Sequence, residues 1–166
     1  VGGHKPIKME LFQKSFEALG FQNVKTILAS GNVLFESPSS KTKLLKQSIE
    51  KELAKTFGLE IDVLLRTIQE IQSLADNVPF KNFAITPETL LYVTFLSEKP
   101  MGDLSLPYIS PDKTIRIFES SSNEIFSFLH KSPKTGSTNL MKILEKEFGR
   151  NITTRNWNTI AKILEK

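Results

Sequence analysis

Two hydrophobic periods take turns along this chain, and their alternation constrains the fold more than any single motif. Met9, Phe12, Phe16 and Leu19 recur at helical spacing, with Gly20 where a terminating glycine belongs. Residues 24–29 and 33–36 are short β-type runs joined by Ser30-Gly31-Asn32, which suits a tight hairpin. A second helix is expected behind a Ser39 or Ser40 cap, with Leu45, Ile49 and Leu53 on one face and Phe57-Gly58 closing it. Leu59, Ile61, Val63 and Leu65 then alternate with Glu60, Asp62 and Leu64, the period of a half-buried strand.

The second half repeats this grammar. Thr67-Ile68-Gln69-Glu70 has capping-box spacing and opens a helix through Ile71, Leu74 and Val78 that Pro79 stops. Residues 90–96 form a nearly continuous apolar run, as in a central strand covered on both faces. Residues 97–113 hold three of the eight prolines and read as a connection, after which 114–118 and 124–129 pair as a hairpin. A helix capped by Ser137 should turn Leu140, Leu144 and Phe148 inward and end at Gly149. The last helix is predicted to start at Thr154 and to bury Trp157, Ile160, Ala161 and Leu164. Helices interleaved with hairpins predict an α+β protein of two ferredoxin-like halves, 1–66 and 67–166, with mixed or mostly antiparallel sheets and helices packed on them.

Composition enters chiefly through what it excludes. A chain of 166 residues with 39% apolar and 24% charged residues buries a core without staples. It has no cysteine, so disulfides, thiolate nucleophiles and cysteine-held metals are out, and a reducing, cytoplasmic setting fits. No apolar run approaches the roughly 18 residues of a membrane span, so no membrane association is expected. Charge is uneven: +3 over residues 1–66, −4 over 67–130 and +5 over 131–166, as for an anion-facing C-terminal surface.

Within that basic tail, Thr154-Arg155-Asn156-Trp157-Asn158 places the only tryptophan beside an arginine and two carboxamides. On a helix starting at Thr154, the threonine caps, the first-turn amides and Arg155 face an anion, and Trp157 offers a ring for stacking. Competing with this is a plain scaffold reading, in which Thr154 is only a cap and Trp157 belongs to the core. Lys134-Thr135-Gly136-Ser137 precedes a helix like a phosphate-binding turn but lacks P-loop spacing. Ser30-Gly31-Asn32 is first a hairpin turn and second a place for a ligand-facing asparagine. His4 and His130 are too few for a metal triad, and no carboxylate pair stands out, so no metal, cofactor or catalytic residue is assigned.

Val1-Gly2-Gly3, the Leu28-Ala29-Ser30-Gly31-Asn32-Val33 turn and Phe148-Gly149 followed by residues 153–159 resemble the bacterial family catalogued as domain of unknown function 1697. The resemblance implies a compact α/β protein of the bacterial cytosol and no established activity. Members of that family begin with a strand ending in Arg-Gly-Ile-Asn before Val-Gly-Gly. The first half here starts at the turn, which implies an exposed N-terminal sheet edge and a homo-oligomer paired through it. Two function classes follow. One is a module binding a small phosphorylated ligand or nucleic acid on the basic C-terminal face; the other is an enzyme acting on a small anionic substrate with Arg155 as clamp.

Overall fold

The computed structural model describes residues 8–27, 31–77, 80–81, 83–97, 104–119 and 123–165. The chain divides into two compact units, Val1–Leu65 with Lys166, and Arg66–Glu165.

In the first unit, α1 (Met9–Ala18) precedes an antiparallel hairpin of β1 (Gln22–Ile27) and β2 (Asn32–Glu36), and α2 (Thr42–Phe57) follows. Phe12 and Phe16, one helical turn apart, pack with Val24, Ile49, Leu53 and Ile61 into one core. Gly58 ends α2 in the left-handed conformation, φ 67°. The serine cap predicted for α2 is not made: Lys41 holds the cap position without a side-chain bond. Ser37 Oγ and Ser39 Oγ instead accept the amides of Ser39 and Lys41, turns that lead into a helix starting later.

Residues 59–65 correct a second expectation, for they belong to neither sheet among the described residues. Their alternation is real. Ile61 is buried, Leu59, Val63 and Leu65 lean on the phenylalanine core, and Glu60 and Asp62 are exposed. Period two reports which side chains face the core, whereas a strand also needs a neighbouring ladder. Val63 instead donates its amide to Glu50 Oε1 of α2 at 3.0 Å.

The second unit contains α3 (Ile68–Asp76), β3 (Thr89–Leu96), β4 (Tyr108–Ile109), β5 (Ile115–Glu119), β6 (Glu124–His130), α4 (Ser137–Phe148), β7 (Ile152–Asn156) and α5 (Trp157–Leu164). The capping box forms as predicted: Glu70 donates its amide to Thr67 Oγ1 at 3.1 Å, and Thr67 donates its own to Glu70 Oε2 at 2.7 Å. The sheet is antiparallel in the order β4-β5-β6-β3-β7, so β5, β6, β3 and β7 stand as in a split βαβ unit, with the two-residue β4 added at one edge. The apolar run 90–96 is central, as read. Residues 104–107 of the β3–β5 connection carry no helix.

Alternation along the strands makes two covered faces. One presents Ile115, Ile117, Ile125, Leu129 and Leu96 to Leu140 and Leu144 of α4. Phe118, Phe126 and Phe128 lie on the other, in an aromatic cluster with Phe80, Phe83 and Trp157. No helix among the described residues is long and apolar enough to cross a membrane.

The C-terminal stretch departs most from expectation. Residues 152–156 are strand β7, in register with β3 through Thr94↔Thr154 and Val93↔Arg155. Ile152, Thr153 and Thr154 are β-branched in succession, which favours a strand, and β3 offers them an open ladder. The helix therefore starts one turn later, at Trp157, with Asn156 as its cap: Oδ1 accepts the Asn158 amide at 2.8 Å. Its buried positions are Thr159 and Ile160, and Ala161 is exposed. Likewise Gly136, not Ser137, precedes α4, and its amide is donated to Asn139 Oδ1 at 2.9 Å.

Candidate functional site

Placing 154 and 155 on a strand sends their side chains to opposite faces. Thr154 turns toward the α4 side, where its hydroxyl lies 2.8 Å from that of Thr94, a fully buried residue. It caps nothing. Arg155 turns toward the aromatic face and is half-buried, with Nη1 donating to the Thr154 carbonyl at 3.0 Å. Burial lowers its pKa below the ordinary arginine value, because desolvation disfavours the charged form. Since it precedes α5 instead of lying in its first turn, the guanidinium is not forced into a helical first turn.

The other residues of the motif have local duties. Asn156 caps α5, and Asn158 is exposed. The Trp157 ring meets Phe80 at 5.4 Å and Phe126 at 5.9 Å, each near 77° between planes, so the half-buried indole is part of the aromatic cluster on this face.

The turn before α4 is organised by a carboxylate. Lys134 and Ser137 are exposed and Gly136 is half-buried. Thr135, buried between them, donates its hydroxyl to Asp112 Oδ2 at 3.0 Å. Asp112 Oδ1 also accepts from Ser110 Oγ at 2.6 Å, from Thr114 Oγ1 at 2.7 Å and from the Thr114 amide at 3.1 Å. These bonds, the Ser110 and Thr114 hydroxyls foremost, hold the Asp112 pKa well below the usual carboxylate range. Thr135 thus answers to a negative group of the chain itself.

In the first unit, Gly31 takes φ 85°, and Asn32 Nδ2 closes the hairpin on the Ile27 carbonyl at 3.1 Å. Ser30 and His4 lie outside the described residues. Among the described residues no three His, Asp or Glu side chains group as metal ligands would.

Two arginines escaped the sequence reading. Arg66 donates Nε to Glu124 Oε1 at 2.9 Å and Nη2 to the Leu96 carbonyl at 3.1 Å, with its guanidinium 5.4 Å from the Phe95 ring centre. Arg116 lies under Phe83 at 5.9 Å. Its only signal was a charge in the apolar run Ile115-Arg116-Ile117-Phe118, which ordinarily means a solvent-facing side of a strand.

Fold and site together define an α+β protein whose larger unit carries a split βαβ sheet with a basic C-terminal end. The chain belongs to the family described as Protein of unknown function (DUF1697), whose model matches residues 1–126. The 153–159 motif lies beyond the matched residues. A solved structure of a conserved bacterial protein from Streptococcus pneumoniae is similar, with a TM-score of 0.73 and 22% identity, covering 99% of this chain and 91% of that one. At that identity the likeness shows the fold, the C-terminal strand and helix included. No curated protein matches the chain.

Proposed function

We propose that the second unit is a binding module for a small phosphate- or carboxylate-bearing ligand, held at its basic C-terminal face with Arg155 as the anion contact. The observation that carries this reading is topological. β6 and β7 both run antiparallel to β3, so they end at the same edge of the sheet. The 131–137 turn and residues 155–158 therefore leave that edge two strands apart, roughly 10 Å by strand spacing. Lys131 and Lys134 come from one side and Arg155 from the other. Arg155 is desolvated beside the N-terminus of α5, two circumstances that raise the local potential and that a bound anion offsets. The edge-on packing of Trp157 supports a small ligand over single-stranded nucleic acid, which needs displayed rings.

The test is a titration of nucleotides, sugar phosphates and single-stranded oligonucleotides at low and moderate salt, against wild type, Lys134→Glu and Arg155→Gln. The expected outcome is saturable binding of a small anion that Arg155→Gln weakens about tenfold, as loss of one charge-assisted contact does. Equal affinity in wild type and Arg155→Gln would refute the assignment. Turnover of a bound phosphomonoester would favour the enzyme reading, with Arg155 as its clamp.

A further inference from the structure

Arg116 stands on β5 in register with Phe128 of β6. Two residues further along β6, His130 donates its amide to the Thr114 carbonyl, which places the imidazole on the same face, diagonal to Arg116 at about 7–8 Å between backbones. The Arg116 guanidinium lies 5.9 Å from the Phe83 ring centre. Phe83 stacks on Phe118 at 5.1 Å and 19°, and leans on Phe128 at 5.5 Å. Arg116 is half-buried, its Nε is covered and meets no acceptor, and no carboxylate among the described residues pairs with it. Arg66, which reaches the same sheet from the segment before α3, has Glu124. Half-buried cations are normally matched by a counter-charge, and a ring face compensates only part of what water supplied.

We infer that Arg116 and His130 form an oxyanion-binding position for a ligand carrying a carboxylate or phosphate on a flat ring, the ring lying along Phe83 and the oxyanion meeting both side chains. The guanidinium supplies a planar fork of donors, and the imidazole, exposed at the strand end, supplies a ring N–H. Among the described residues, Glu88, whose carbonyl accepts the Lys131 amide at 3.0 Å, and Asp112 adjoin this end, and Asp112 is already engaged by Ser110, Thr114 and Thr135. Lys113 and Lys131 adjoin in sequence and add positive charge. Arg155 lies on the same face three strands away, roughly 15 Å by strand spacing, so the two positions are separable.

The experiment is amide chemical-shift mapping and affinity measurement on the full chain with benzoate, phenyl phosphate, acetate and inorganic phosphate. Wild type, Arg116→Lys, His130→Gln and Arg155→Gln are compared. Expected is saturable binding of a ring-bearing probe about tenfold tighter than its ringless counterpart, with shifts centred on residues 83, 116 and 130. Arg116→Lys keeps the charge and bulk but loses the fork, and should weaken the binding read from shifts at residues 83, 116 and 130 several-fold, as should His130→Gln at its exposed position; binding at the Arg155 face is read separately, from shifts at residues 155–158, and is where Arg155→Gln acts. Absence of saturable binding by all four probes would overturn the inference. So would equal affinity for ringed and ringless probes, or a loss confined to Arg155→Gln, the last pointing to the Arg155 face instead.

Discussion

Replacing Arg66 with methionine keeps most of the side-chain volume and removes only the guanidinium. Glu124 is 8% exposed, so its carboxylate would be stranded in a place that water barely reaches. Truncating one partner of a buried pair costs about 3–5 kcal/mol. Loss of the charged donor to the Leu96 carbonyl at 3.1 Å is part of the same change and is not added separately. We expect Arg66→Met to destabilise the second unit by about 3 kcal/mol, which for a unit near 100 residues lowers Tm by roughly 12–24 °C. Urea denaturation followed by Trp157 fluorescence isolates that unit, because the chain has one tryptophan and it lies in this unit. Glu124→Leu should be similarly costly, whereas the double variant should recover much of the loss, since a buried pair replaced by apolar groups is close to neutral. Single variants within about 1 kcal/mol of wild type, or an additive double, would refute the reasoning.

Gly149 follows α4 at φ 85° and ψ −176°, a region essentially reserved for glycine, and a β-carbon at this position would meet no atom within 4 Å. Gly149→Ala should therefore cost about 1–3 kcal/mol through the backbone alone, measured by the same urea titration, and a smaller change would show that the turn relaxes. Asp112→Asn should lower Tm at neutral pH. Because the native pKa is depressed, the carboxylate's contribution is present above its unfolded value of about 3.9 and is lost as pH falls below it, so the two melting curves should converge under acid; a gap as wide at pH 3 as at pH 7 would contradict this. Thr154→Val strands the buried Thr94 hydroxyl and should cost about 1–3 kcal/mol, while Thr94→Val with Thr154→Val should cost less than the single change; an additive result would mean the hydroxyls are not coupled.

By itself the sequence determined the features that depend on near neighbours in the chain. The helical spacing of Phe12 and Phe16, the Thr67–Glu70 capping box, the left-handed Gly58 and the apolar centre of β3 were all legible, because each is decided by side chains within a turn or by a repeated burial pattern. Tertiary structure decided whatever depended on a partner far along the chain. Residues 59–65 have a strand's alternation without a place in either sheet, and residues 152–156, a short segment between two helices, became a strand because β3 offered them a ladder. That one pairing moved Arg155 from a helix to a sheet face, took Thr154 away from it, and made Asn156 the cap. Arg116, half-buried and with no ion pair to a carboxylate among the described residues, has as its covering ring Phe83, 33 positions earlier in the sequence. Local period can say which way a side chain points along an element, but the counter-charge it meets is set by the packing of distant segments, where desolvation and hydrogen-bond partners are allotted together.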